Sequence, residues 1–278
     1  MALLNFAANS LIGRYALGGG LIDAAGYTGV RVTAAAVSLC LIVLFRRRRL
    51  PELGNGDWRA VISLFAYAVF FSFAYLKLTT GTGALILFGA VQFTMFVVAL
   101  RQGEHFPPAA WGGLAVAVVG VVWLVLPGLT APDPLGALLM AVSGVAWGFY
   151  TLLARGVRHP VETNAINFLG CVPLAAVACL LWRGGLHADP HGIAAAVLSG
   201  AVTSGIGYAL WYAALKGLTA TRAATIQLSV PAIAAFAGVV LLGEHVTLRL
   251  VGASALVLGG VAIVLTRRAR PPVVEPVE

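Results

Sequence analysis

The chain has 278 residues, of which 60% are hydrophobic and only 10% are charged. Soluble globular proteins carry about 25% charged residues, so this composition excludes an ordinary soluble enzyme, a disordered protein and a secreted disulfide scaffold. The net charge of +8 indicates basic loops beside a membrane rather than a nucleic-acid interface, because the arginines lie between long apolar blocks. We therefore predict an all-α polytopic membrane protein with no nucleic-acid partner.

A helix needs about 20 mostly apolar residues to cross the hydrocarbon core of a bilayer, and we identify ten candidate segments. Breaks that contain Gly and Pro separate most of them, as expected for turns. Residues 268–278 are rich in proline and charge, and we predict a disordered cytoplasmic tail there. In chain order, the predicted spans cover residues 2–17, 26–45, 57–76, 80–100, 108–126, 134–154, 162–182, 191–214, 220–242 and 247–266.

The basic residues predict the orientation of the spans, since short cytoplasmic loops are enriched in Lys and Arg. With both termini in the cytoplasm, most of the 18 basic residues, including the run Arg46–Arg49, fall on the inner side. The sequence thus predicts a multi-pass plasma-membrane protein with both termini inside. The basic residues assigned to the outer side are Arg14, Arg31, Lys77, Arg183 and Arg249.

An internal repeat divides the chain into two halves. Lys77 precedes the segment Gly103-Glu104-His105, and Lys216 precedes Gly243-Glu244-His245 about 140 residues later. Each half has five predicted spans, and because five is an odd number, the second half enters the membrane from the opposite side. Inverted-topology repeats are typical of secondary transporters, whose halves exchange conformations during alternating access. A duplication without alternating access, as in a channel, is the alternative.

The repeated Leu-Lys … Gly-Glu-His pattern resembles the paired EamA domains of the drug/metabolite transporter superfamily. The segment Gln227–Pro231 is the more specific part of this resemblance. The resemblance implies ten transmembrane helices in two inverted five-helix repeats, residues 1–130 and 131–267. Pro231 departs from strict symmetry, because the first half has no proline at the corresponding position.

A narrower resemblance links the chain to the bacterial YddG-type exporters of aromatic amino acids. It rests on the segments Asn9–Tyr15 and Trp147–Tyr150 and on the overall length. It implies a carrier in the bacterial inner membrane that exports small amphiphilic metabolites, aromatic and other apolar amino acids first. Export of another metabolite or drug class is the alternative. A channel and an intramembrane enzyme are weaker alternatives. The enzyme is disfavoured because the chain has no HExxH, GxSxG or paired-carboxylate motif.

Polar groups at membrane depth are costly and usually face a cavity, so they mark candidate binding residues. All ten acidic residues and all five histidines fall at span ends, in loops or in the tail, which leaves none for a proton relay. The neutral polar and aromatic residues suit a zwitterion with an apolar side chain, although a mid-span glutamine also suits a clamp between two helices. The predicted substrate-binding residues are Asn9, Tyr67, Gln92, Trp147, Tyr150, Tyr208, Trp211 and Gln227.

Other residues have predicted structural roles. We expect a hinge at Pro231, which removes a backbone hydrogen bond, and at Gly205 and Gly207. Glu104 and Glu244 are expected to cap the turns into spans five and ten. Small residues on these two spans predict either close packing or a dimer interface, and we otherwise expect a monomer. These residues are Gly112, Gly120, Gly252 and Gly260. No catalytic residue, metal ligand or cofactor is predicted, and the expected partners are the lipid bilayer and an amino acid-like small molecule.

Overall fold

The computed structural model describes residues 2–51, 56–154, 157–215 and 226–266. Within these ranges the chain folds into helices joined by turns, with no β-strand beyond an isolated bridge between Ile22 and Ala188. Eight of the helices are long and apolar enough to cross a membrane, so the chain is a multi-pass membrane protein. The predicted disordered tail lies outside the described residues.

The helix boundaries agree with the predicted spans to within two residues, except at the ninth span, where residues 220–225 lie outside the described part. The helices α1 and α9, with 17 and 14 residues, are not among the eight membrane-spanning candidates, so the number of ten spans stays a prediction. In chain order the helices are α1 (Ala2–Gly18), α2 (Ala24–Arg47), α3 (Trp58–Tyr75), α4 (Thr80–Arg101), α5 (Pro108–Val125), α6 (Pro134–Leu153), α7 (Pro160–Leu181), α8 (Pro190–Leu198, Ser199–Ile206 and Gly207–Leu215), α9 (Ser229–Leu242) and α10 (Leu248–Thr266).

Aspartate side chains begin four of these helices. Each accepts a hydrogen bond from a backbone N–H two or three residues later, which satisfies an amide that has no partner within the helix. A hydrogen bond donated by the backbone N–H of Gly136 is the largest cause that lowers the pKa of Asp133. The capping residues of α2, α3, α6 and α8 are Asp23, Asp57, Asp133 and Asp189.

Contacts between helix ends define two ends of the bundle. At the first, which we call the Glu244 end, Glu244 follows α9 and contacts both α1 and the start of α4. At the second, which we call the Glu162 end, Arg47 and Arg49 at the end of α2 pair with Glu162 in the first turn of α7, at 3.0 and 3.5 Å. These contacts are those expected of helices that alternate in direction along the chain.

Eight helices surround the centre of the bundle. α2 packs against α7 and α8, α3 against α6 and α7, α4 against α6 and α9, and α1 against α8 and α9. α5 and α10 pack mainly against each other and touch the rest of the bundle chiefly through α4. Any site enclosed by the bundle is therefore built from α1–α4 and α6–α9.

The contact between α5 and α10 depends on glycines, because these let the two backbones approach closely. A Cβ atom at Gly113 would lie 2.6 Å from the carbonyl oxygen of Gly260. Close packing of these two helices within the chain is confirmed at Gly120, Gly252 and Gly260. The predicted packing at Gly112 is wrong, since nothing lies within 4 Å of its Cβ position; the residue that faces α10 is Gly113. The dimer interface stays a prediction.

Replacing Gly113 by valine is expected to lower the thermal stability of the purified protein, because the new side chain would overlap the backbone of α10. Overpacking of this kind costs about 1–3 kcal/mol. Gly112→Val is the matched control, since its side chain would point into open space. Thermal unfolding of both variants in one detergent makes the comparison, and equal midpoints would contradict the α5–α10 contact.

Candidate functional site

Aromatic side chains from four helices pack together in the centre of the bundle. The Trp147 ring of α6 lies 4.8 Å from that of Tyr67 on α3 and 5.2 Å from that of Tyr208 on α8, between ring centroids. Trp147 is half-buried and also contacts the Tyr150 ring at 5.5 Å. We call the following residues the aromatic cluster: Phe6, Tyr67, Trp147, Tyr150, Tyr208 and Trp211.

Asn9 of α1 joins the aromatic cluster to polar side chains on α8. Its Nδ2 donates to the Tyr67 hydroxyl at 3.1 Å. Its Oδ1 accepts from Ser199 Oγ at 2.8 Å and from Thr203 Oγ1 at 3.2 Å. All four side chains are buried, so hydrogen bonds link three helices inside the bundle. Amide and hydroxyl groups beside aromatic faces are the chemistry that binds small amphiphilic molecules.

The serine and threonine donors of α8 face inward from a π-helical segment, Ser199–Ile206. π-helical turns are rare and are frequent at functional sites. Gly200 lets this segment lie directly against α2, since a Cβ atom there would overlap the carbonyl oxygen of Arg31. Of the predicted hinge residues, Gly205 lies within the segment and Gly207 follows it. The π-helical geometry was not predicted from the sequence.

Arg31 is the largest departure from the sequence prediction. It is assigned to the outer side by counting basic residues, but the structure places it as the eighth residue of α2, with 1% of its surface exposed. Its Nη2 donates to the Tyr67 hydroxyl at 2.9 Å, and its guanidinium carbon lies 4.7 Å from the centre of the Phe71 ring. The physical reason is helical periodicity: Tyr27, Arg31 and Ala35 share the buried face of α2.

A cavity of about 400 Å³ lies at the Glu162 end, beside the aromatic cluster. Its wall includes Asn167 of α7, whose Nδ2 donates to the Tyr150 hydroxyl at 3.3 Å. Tyr150 also donates to Asn164 and contacts the Trp147 ring. A solute that enters from this end therefore meets the cluster after one layer of side chains.

The Glu244 end is closed by a largely buried carboxylate. Both oxygens of Glu244 accept from the backbone N–H of Thr80, at 3.0 and 2.9 Å, and Oε1 pairs with Arg14 Nε at 3.3 Å. Arg14 also donates to the carbonyl oxygen of Tyr75 at 3.2 Å. The expectation that Glu244 caps the turn into its own next helix is wrong. The left-handed turn at Gly243, with φ of 65°, directs the side chain back to α4 instead.

The remaining predicted residues occupy other places. Gln92 is buried in α4 and lines a mostly apolar cavity of about 310 Å³ between α4, α5, α6 and α10. Gln227 is buried just before α9, and its neighbours 216–225 lie outside the described residues, so its binding role stays a prediction. Pro231 is the third residue of α9. A backbone N–H in the first turn of a helix has no partner within that helix, so the proline removes no helical hydrogen bond there. The chain instead turns at Leu228, three residues before the proline.

The structure brings six of the eight predicted binding residues together, namely Asn9, Tyr67, Trp147, Tyr150, Tyr208 and Trp211. Sequence reasoning missed Phe6 and Arg31. The spacing contained a signal for both: Phe6 lies three residues before Asn9 on α1, and Arg31 lies inside a predicted span. In the described part of the chain, no group of three His, Cys, Asp or Glu side chains could hold a metal ion.

Comparison with known proteins points to membrane transport. A family model described as "EamA-like transporter family" matches residues 134–266. An uncharacterized protein of Pseudomonas aeruginosa is 48% identical over 96% of this chain and 93% of its own length. The threonine/homoserine exporter RhtA of Salmonella typhimurium is 30% identical over 91% of this chain and 86% of its own length. A solved crystal structure, 21% identical, covers 96% of this chain and 94% of its own with a TM-score of 0.69, a likeness that shows the fold alone.

Proposed function

Because this chain belongs to the EamA-like transporter family, we propose that it is a secondary transporter that exports small amphiphilic amino acids. The observation that carries the proposal is the enclosed aromatic cluster with its hydrogen bonds from Asn9 to Tyr67 and α8. Amide and hydroxyl groups suit the polar part of a zwitterion, and ring faces suit its apolar side chain. The relative named as a threonine/homoserine exporter supports an amino acid as the substrate, and the rings favour aromatic and other apolar ones.

Alternating access between residues 1–130 and 131–267, as inverted repeats, is the mechanism we propose. The helix contacts support it, because exchanging the halves leaves their pattern similar: α2 packs on α7, α4 on α9 and α5 on α10, while α3 on α6 corresponds to α8 on α1. Glu244 and Arg14 close one end, and the cavity beside Asn167 lies at the other. This arrangement fits a state that faces the Glu162 end.

The proposed location is the bacterial inner membrane, with both termini in the cytoplasm. The basic run Arg46–Arg49 then places the Glu162 end on the cytoplasmic side. A carrier facing that end is ready to load substrate from the cytoplasm for export. We propose a monomer as the transporting unit, since α1–α4 and α6–α9 of one chain enclose the cluster.

Flux is expected to follow the substrate gradient alone. The described acids and histidines lie in the first turns of helices or between helices, and the guanidinium of Arg31 does not release its proton at physiological pH. A zwitterion with no net charge also experiences no net work from the membrane potential. In liposomes with equal phenylalanine on both sides, a pH step or a potassium-diffusion potential is expected to cause no net accumulation.

The same liposomes test the transporter proposal by counterflow. Labelled phenylalanine outside is expected to accumulate transiently when unlabelled phenylalanine is inside, at a rate that saturates with concentration, whereas a channel shows neither behaviour. Protein-free liposomes are the control. Absence of saturable counterflow with both phenylalanine and threonine would contradict amino acid transport. Uphill movement driven by the pH step would contradict only the uncoupled mechanism.

A further inference from the structure

Arg31 is a buried cation, and two of its nitrogen atoms have no hydrogen-bond partner. It is the largest fully buried side chain in the described part of the protein. The Tyr67 hydroxyl accepts from Nη2, whereas Nε and Nη1 are buried without a hydrogen-bond partner. Arg31 lies about 10 Å along the helix axis from the start of α2, and with 1% of its surface exposed the charge is shielded from solvent by the protein. Burying a guanidinium is costly unless an anion compensates it.

No carboxylate compensates Arg31 among the described residues. The ionisable groups that interact with it electrostatically are the phenols of Tyr67, Tyr27 and Tyr208, and none of these is a carboxylate. Asp23, the acid directly before α2, caps the first turn of that helix by accepting from the N–H of Gly26. Two donors of the buried guanidinium, Nε and Nη1, are therefore left without an anionic partner from the described part of the protein.

Arg31 borders the site proposed for the substrate. The Tyr67 hydroxyl that accepts from Arg31 also accepts from Asn9, and the Tyr67 ring contacts Trp147. A ligand against the Trp147 ring is thus separated from the guanidinium by the width of one side chain. A guanidinium presents N–H groups in one plane, a geometry that matches the two oxygens of a carboxylate.

We propose that Arg31 binds the carboxylate of the transported amino acid and thereby selects substrates that carry one. This inference rests on the proposed function and deepens it. The ammonium group of the zwitterion is left to the electron-rich ring faces of the aromatic cluster. An amino acid amide leaves the buried guanidinium uncompensated, so the site rejects it.

The test compares an amino acid with its amide as competitors. Unlabelled phenylalanine and phenylalaninamide are each titrated against the counterflow of labelled phenylalanine in liposomes that contain the whole protein. In the unmodified protein, we expect the half-inhibitory concentration of the amide to be at least about tenfold higher than that of phenylalanine, as is typical when a charge-assisted hydrogen bond is lost. The measured quantity is this amide-to-acid ratio of half-inhibitory concentrations. In Arg31→Gln, this ratio is expected to fall to about one to two.

Two further variants separate binding from folding. Arg31→Lys keeps the charge but loses the planar fork, so an intermediate ratio is expected. Thr28→Val is the matched control, since Thr28 is buried one turn earlier on α2 and donates to Ser72 on α3. Its ratio is expected to equal that of the unmodified protein. If Arg31→Gln fails to fold, the thermal stability of the unmodified protein is measured with each compound instead. We then expect phenylalanine, but not phenylalaninamide, to raise the unfolding temperature.

The outcomes distinguish this inference from the function on which it rests. Saturable counterflow in Arg31→Gln with an unchanged amide-to-acid ratio of half-inhibitory concentrations would overturn the role of Arg31 alone. Equal stabilisation of the unmodified protein by the acid and the amide would do the same. Absence of saturable phenylalanine and threonine counterflow in the unmodified protein would overturn the transporter proposal and this inference with it.

Discussion

Replacing Trp147 by alanine is expected to reduce the kcat/KM of phenylalanine transport by about 30-fold. The Trp147 ring contacts Tyr67 and Tyr208 and is only half-buried, so part of its surface is free to contact a substrate. Removing an aromatic wall of this kind costs about 2 kcal/mol of contact with the substrate, and each 1.4 kcal/mol is a factor of ten. Initial counterflow rates over a range of phenylalanine concentrations give kcat/KM.

A second tryptophan provides the control for Trp147. Trp182, directly after α7, is 48% exposed and contacts Phe73 away from the aromatic cluster. Trp182→Ala is expected to keep kcat/KM within about twofold of the unmodified protein, and Trp147→Phe is expected to retain most of it. If folded Trp147→Ala transported as well as Trp182→Ala, the substrate would have to bind elsewhere.

Replacing Glu244 by glutamine is expected to open the Glu244 end of the bundle. The substitution removes the ion pair with Arg14 and weakens the hydrogen bond from Thr80. Because the side chains of Arg14 and Glu244 are 25% and 12% exposed, we expect a loss of about 2 kcal/mol, which changes the ratio of open to closed states about 30-fold. A cysteine placed at Ser10, buried one turn before Arg14, reports this opening.

The measurement is the labelling rate of Ser10→Cys by a hydrophilic maleimide in detergent, with alanine at the native cysteines Cys40, Cys171 and Cys179. Adding Glu244→Gln is expected to raise this rate at least about tenfold. Lys77→Gln is the matched control, since it removes the exposed pair of Lys77 with Asp133 at the same end, and exposed pairs contribute about 0–1 kcal/mol. A labelling rate equal to that of the control would show that Glu244 does not hold this end closed.

The positions of most helices could be predicted because their physical signal is strong. Apolar runs of the length that crosses a bilayer are bounded by Gly and Pro, and the Asp-Pro pairs at Asp133 and Asp189 mark helix starts directly. The start of α9 is harder to predict, because residues 220–229 mix small apolar residues with Thr, Arg, Gln and Ser, and no Gly or Pro marks a boundary there before Pro231. The turn at Leu228 falls three residues before Pro231, not at the proline itself.

The residue types of the candidate site could also be predicted, but its electrostatics could not. Counting basic residues treats an arginine near the end of a span as a loop residue. Burial, however, depends on the face of the helix on which a residue lies, and Arg31 lies on the face of α2 that packs beside Tyr67. The π-helical segment of α8 could not be predicted, since its eight residues are too few to reveal a period different from that of an α-helix. The pairing of Glu244 with Arg14 joins residues far apart in the sequence, so only the fold reveals it.

A structure determined with bound phenylalanine tests the substrate site most directly. We expect the amino acid to lie against Trp147 between α1, α3, α6 and α8, with its polar part within hydrogen-bond distance of Asn9 or Tyr67 and its carboxylate directed at Arg31. Phenylalanine bound instead in the apolar cavity beside Gln92, with the aromatic cluster unchanged, would contradict the proposed site.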